Sequence, residues 1–244
     1  MLNITEMTFK FISIITKTFL KLRLHYIIRP FENFFENLIY LSRFSAWRLK
    51  NRNIAFNDFP TRSDYSKRYN LYDYLYKEII KDDTINYLEF GVAKGDSIKW
   101  WLSHNKNENS KFSGFDTFKG LPESWGNFKK GHFDTNLKFP DTNDARASFI
   151  PGLFQQTLPE FLKTFTPNNN RLIIHCDADL YSSTLFVLTN IAPFLKKDDI
   201  ILFDEFNVPI DEYRAYLNFG QSFYLNTELI GAANNYTCTA FKVL

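Results

Sequence analysis

Residues 87–101, YLEFGVAKGDSIKWW, constrain the fold of this chain more than any other stretch. A short apolar run starting near Ile85 is interrupted by Gly91 and Gly95, and residues 97–102 resume with helical spacing. The pattern reads as strand, glycine turn, helix. A residue without Cβ lets backbone approach a ligand closely, and the first N–H groups of the following helix point at whatever lies there. Glu89, at the carboxyl end of the strand, is suited to accept hydrogen bonds from amine or hydroxyl groups of such a ligand. Ala93 stands where the second glycine of G-x-G-x-x-G would be, which favours a nucleoside without phosphates over a dinucleotide. A plain strand-to-helix connection would carry the same glycines, so the ligand role needs support from the rest of the chain.

That support comes from the alternation that follows residue 71. Helices are expected at 71–80, 97–103, 158–165, 184–195 and 211–223, and strands at 85–90, 112–115, 147–150, 172–176 and 200–203. Residues 224–230 and 237–243 read as a closing β-hairpin turning at 231–235. This order predicts an α/β domain with a mostly parallel, Rossmann-like sheet, a C-terminal antiparallel hairpin and ligands at the carboxyl ends of the strands. Carboxylates stand at four of those ends: Glu89, Asp116, Asp177, and Asp204 with Glu205.

The remainder of the chain has a different character. Of 244 residues, the first 50 carry eight Lys and Arg against three Glu, a net +5, within a whole-chain charge of +2. Phe11, Ile14, Ile15, Phe19, Leu22 and Tyr26 recur at helical spacing, with Lys10, Lys17 and Lys21 on another face. An amphipathic helix is expected over 8–28, with Pro30 ending it or opening a second apolar helix. The lysines leave no uncharged run of the ~20 residues that a membrane span requires. Two readings of this extension stay open: packing on its own domain or a second copy as a homo-oligomer contact, or peripheral contact with an anionic membrane. Residues 51–62 read as a linker, dividing the chain into a helical extension at 1–60 and a main domain at 61–244. Cys176 and Cys238 form neither a disulfide framework nor a metal-ligand set, so a cytoplasmic setting is expected, with peripheral association at the inner membrane face as its variant.

Asp116 lies one strand-helix-strand step beyond Glu89, where a carboxylate can take both hydroxyls of a ribose; capping of the turn at Thr117 is the competing role. If the strands ending at Cys176 and Phe203 are neighbours, Asp177 and Asp204 face one another. Grouped with Glu205, they would repel unless a cation lay between them, and hard oxygen ligands suit Mg²⁺. Asp179 is read instead as a helix cap. His175 shares a strand face with Asp177 and is read as structural, whereas His132, in the loop WGNFKKGHF, is a candidate base.

Five blocks in order resemble the macrocin O-methyltransferase family: YLEFGVAKGDS at 87–97, GFDTFKGLPESW at 114–125, PGLFQQTLPEFL at 151–162, IHCDADLYSST at 174–184 and ILFDEF at 201–206. The resemblance spans roughly residues 65–210 and leaves the first 60 unexplained. It implies a class I fold that binds S-adenosylmethionine through Glu89, Gly91, Gly95, Ser97, Asp116 and Thr117. It further implies a metal, Mg²⁺, on Asp177, Asp204 and Glu205. Glu205 departs from the Asp of the macrocin enzymes, so the ligand atom is displaced outward by one methylene. The implied reaction is methyl transfer to a hydroxyl of a sugar or glycoside, with Asp177 or His132 accepting the proton. The long segment 121–144, with Trp125, Phe128, His132 and Phe133, is expected to cover the acceptor. The alternatives are a non-catalytic scaffold docking through its basic helices and a nicotinamide oxidoreductase, the latter opposed by the missing glycine. The Asp204→Ala variant is expected to lose metal-dependent turnover and keep its fold.

Overall fold

The computed structural model describes residues 4–244, with side chains from Thr8 onward. The chain forms two compact units, divided between Arg43 and Phe44. The first contains α1 (Ile4–Lys21), α2 (His25–Ile28), a 3₁₀ turn at Arg29–Phe31 and the start of α3 (Glu32–Lys50). The single helix expected over 8–28 is interrupted: Arg23 takes a left-handed conformation (φ 51°), and the Leu24 N–H reaches back to the Phe19 carbonyl at 3.1 Å. That bond closes the helix end, and Pro30 opens the 3₁₀ turn, where its missing N–H costs nothing.

In the second unit, the boundary falls well before residue 60 because the end of α3 carries aromatic side chains. Phe44 is buried 5.0 Å from the Tyr213 ring, and Trp47 lies 5.2 Å from Phe206. The stretch read as a linker contains β1 (Phe56–Asp58), an edge strand that pairs in parallel with β7 (Thr227–Ala233). Between these come α4 (Arg68–Tyr74), continued by a π-helical turn at Leu75–Ile80, β2 (Ile85–Phe90), α5 (Asp96–His104), β3 (Lys111–Asp116) and β4 (Ala147–Pro151). There follow α6 (Phe154–Leu162), β5 (Arg171–Cys176), α7 (Tyr181–Ile191), β6 (Ile200–Phe203) and α8 (Glu212–Phe223), then β7 and β8 (Cys238–Val243).

The eight strands form one sheet in the order β1-β7-β8-β6-β5-β2-β3-β4, antiparallel only where β8 meets β6 and β7. The α/β, Rossmann-like expectation is met. The central strands are buried on both faces, which is why they read as near-continuous apolar runs. Helix α6 begins four residues earlier than expected, since Phe154 and Phe161 pack edge-on against Phe90 and Phe115. The hairpin turns later than expected: Gly231 marks a register shift within β7, while Asn234, Asn235 and Tyr236 supply the positive-φ turn. From β2 the chain proceeds outward to β3 and β4, then returns to β5 and β6 on the other side. The strand order reverses between β2 and β5, the position at which open α/β sheets bind ligands.

Candidate active site

At this reversal β2 and β5 are in register, Glu89 opposite His175 and Phe90 opposite Cys176. The Asp177 N–H donates to the Phe90 carbonyl at 2.9 Å, carrying the pairing one residue past the strands. Gly91 follows at φ 95°, and a Cβ there would collide with the carbonyl oxygen of Asp177. The turn therefore tolerates no side chain, on two grounds: conformation and space. The Val92 and Ala93 N–H groups both donate to Asp116 Oδ2 at 2.8 Å, and the Phe118 N–H donates to Oδ1 at 2.7 Å. Asp116 thus braces two loops, and Ala93 is held in a left-handed conformation (φ 45°) where a glycine would ordinarily be used. Thr117 is tied down through its hydroxyl, which donates to the Gly120 carbonyl at 2.8 Å.

These residues open onto a cleft of about 980 Å³. Its wall includes Glu89, Gly91, Ser97, Asp116, Thr117, Asp177, Asp179 and Glu205. Residues of the connection between β3 and β4 also line it, among them Leu121, Trp125, Phe128, His132 and Phe133. Trp125 and Phe128 stack at 5.6 Å, with His132 4.6 Å from Phe128, and the Trp125 indole N–H donates to Asp211 at 2.9 Å. His132 therefore lines the cleft from an exposed, aromatic loop.

The acidic cluster is more elaborate than the sequence indicates. Asp177, Asp179 and Glu205 each offer an oxygen, and these lie within 4.8 Å of one another; Asp177 and Asp204 satisfy the same distance together with His175. Asp204 is fully buried, and its Oδ2 accepts from Arg68 at 3.0 Å and from the Tyr65 hydroxyl at 2.9 Å. The Tyr65 hydroxyl also lies 2.9 Å from Glu205 Oε1. His175 Nε2 is 3.4 Å from Asp204 Oδ1, and its Nδ1 is 2.6 Å from the Tyr87 hydroxyl, which donates to Glu89 at 2.6 Å. Burial alone would raise Asp204, but His175 and Arg68 hold its carboxyl well below the usual range. Against its own burial, His175 is lifted to about 9 by Asp204 and Glu89.

The carboxylates facing the cleft behave in the opposite way. Burial, then Asp204 and Glu205, push Asp177 well above the usual carboxylate range. Burial and Asp211 raise Asp179 to about 7; burial and Asp204 raise Glu205 to about 8. Glu205 Oε2 is buried with no hydrogen-bond partner. Three clustered oxygens, elevated pKa values and an orphaned acceptor fit a hard divalent cation. Asp177 and Glu205 belong to the expected set; Asp179 joins them, while Asp204 also serves Arg68, Tyr65 and His175. The cap reading of Asp179 is corrected, because the N-cap of α7 is Leu180 and the Tyr181 N–H instead approaches Asp211 at 3.4 Å.

Residues 88–206 match a family described as a methyltransferase domain. The matched stretch spans just under half of the chain. An 86-residue stretch is 31% identical to demethyldecarbamoylnovobiocin O-methyltransferase of Streptomyces niveus, covering 33% of this chain and 31% of that protein. The chain thus matches about a third of the length of that curated relative. Two solved structures share the fold of this α/β sheet. The calicheamicin methyltransferase CalS11 aligns at 22% identity and a TM-score of 0.56 over 70% of this chain and 76% of its own. The O-methyltransferase NovP aligns at 19% and 0.52 over 72% and 77%. The family resemblance carried by the five sequence blocks is borne out at the level of this domain.

Tyr65, Arg68 and Tyr72, which precede the matched stretch, were not legible as site residues. They reach Asp204 from more than 130 positions away, and no local pattern announces them. Asp204→Ala would leave Arg68 without its partner, so the expectation that this variant keeps its fold does not carry over to the observed packing.

Proposed function

We propose that this domain is an S-adenosylmethionine-dependent O-methyltransferase acting on a hydroxyl of a sugar or glycoside with the assistance of Mg²⁺. The observation that carries the reading is the convergence, on one cleft at the strand-order reversal, of the Gly91 turn with the Asp177, Asp179 and Glu205 carboxylates. The activities of its relatives support it: one is a demethyldecarbamoylnovobiocin O-methyltransferase, and CalS11 is described as a TDP-rhamnose 3′-O-methyltransferase.

In this reading Glu89, Gly91, Gly95 and Ser97 surround the methionine end of the cofactor, and Asp116 and Thr117 its ribose. Asp116 retains acceptor capacity beyond the amides it already binds, since each carboxylate oxygen has two lone pairs. Asp177, Asp204 and Glu205, with Asp179 beside them, would hold Mg²⁺, which lowers the pKa of a bound hydroxyl. An Asp177 carboxylate oxygen not engaged by the ion would accept the acceptor's proton. The aromatic loop around Trp125 and Phe128 excludes water and presents flat apolar faces to a ring, while His132 is a second proton acceptor on that loop. Methyl transfer is an in-line displacement, so holding the acceptor oxygen against the methyl carbon accounts for much of the acceleration.

Isothermal calorimetry with S-adenosylmethionine, with and without Mg²⁺, tests the reading, and a CH₂ mass gain in a panel of nucleotide sugars and glycosides identifies the acceptor. Folded protein that binds no cofactor would favour a non-catalytic scaffold.

The cluster also sets a pH dependence. Below its raised value Glu205 keeps in the folded state a proton that the unfolded chain releases above 4.5. Metal-free protein therefore loses stability as pH rises from there to about 8. Mg²⁺ competes with these protons, so its upward shift of the unfolding temperature is expected to be larger near pH ~8.5 than near pH ~6. Calorimetric scans at both values check this; equal shifts would remove the cluster as the ion's site.

A further inference from the structure

We propose that the N-terminal helices form a docking surface for an anionic lipid bilayer. Sixteen large apolar side chains between Phe9 and Leu41 are exposed by 43–70%, a density found nowhere else among the described residues. In α1, at 100° per residue, the exposed Phe9, Phe11, Ile12, Ile15 and Leu20 fall within an arc of about 180°, while Lys10, Lys17 and Lys21 fall within about 40° on the other side.

No helix among the described residues is long and apolar enough to cross a membrane. An 18-residue helix with three lysines along one side instead suits the interfacial plane. Its apolar arc would enter the acyl boundary, and the lysine stems would extend to the phosphates.

Charge selects the occupant. The first 50 residues carry eight basic and three acidic groups, a net +5. A second copy would bring an equal positive charge to the same face, whereas anionic headgroups bring the opposite one. The remaining residues, with 21 basic and 24 acidic groups, net −3, are repelled by such a surface, so attraction belongs to the helices alone.

The full chain should float with vesicles of phosphatidylcholine and phosphatidylglycerol, should not float with phosphatidylcholine alone, and should be released by salt. The triple variant Lys10→Gln, Lys17→Gln, Lys21→Gln is expected to bind about a hundredfold more weakly, from roughly a fivefold loss per charge. The variant Phe11→Ser, Ile15→Ser should also lose binding. Both should keep their circular dichroism and their S-adenosylmethionine calorimetry, since neither touches the cleft. Three results would overturn the proposal: no flotation of the unmodified chain, equal flotation with both vesicles, or a dimer in light scattering that the Phe11 and Ile15 changes dissociate.

Discussion

Asp177→Asn is expected to lower methyl transfer by about a thousandfold while leaving the fold intact. A general base typically contributes about 10²–10⁴-fold, and the amide removes both that function and a hard oxygen ligand. Folding should be insensitive, because burial beside Asp204 and Glu205 already favours the neutral acid, which the amide resembles in shape and charge. The backbone N–H of residue 177 still donates to the Phe90 carbonyl, so the turn keeps its geometry. S-adenosylhomocysteine release with an accepted substrate measures the rate, and a thermal scan measures the fold. Unchanged turnover would remove Asp177 from the chemistry; lost turnover with a collapsed unfolding transition would make its role structural.

Arg68→Met should have the largest effect on stability. Arg68 Nη1 lies 3.0 Å from Asp204 Oδ2, with side-chain exposures of 10% and 1%. Removing one partner of a buried ion pair costs about 3–5 kcal/mol, because the remaining charge stays buried without compensation. The lower end is expected here, since His175 also faces Asp204 at 3.4 Å. For a chain of this size about 3 kcal/mol corresponds to a fall of roughly 6–12 °C in the unfolding temperature. Adding Asp204→Asn should recover part of the loss, as the amide carries no charge to strand and can still accept from Tyr65. A double-mutant cycle reads the coupling directly, and additive effects would show that the two groups do not interact energetically.

These two residues separate what is local from what is not. The short apolar runs, the helical spacing and the glycine turn are short-range signals, so the sequence alone specified the strand, turn and helix at 85–104 and the parallel α/β class. It also placed Glu89, Asp116, Asp177 and Asp204 at strand ends, because a carboxylate directly after an apolar run has a position fixed by the strand itself. Edge strand β1 was missed for the complementary reason: three residues of mixed polarity acquire their conformation only by pairing with β7.

Tertiary structure alone decided the charge balance of the cluster. Neutralisation of Asp204 depends on Arg68, 136 residues earlier, and sequence distance carries no information about such a partner. It likewise turned Asp179 toward the cleft, because the cap expected of it is absent and Asp211, from another loop, approaches the start of α7. Spacing along a chain fixes which end of a strand a side chain occupies; which charges then meet, and so which carboxylates hold protons, is settled only when distant segments share one low-dielectric interior.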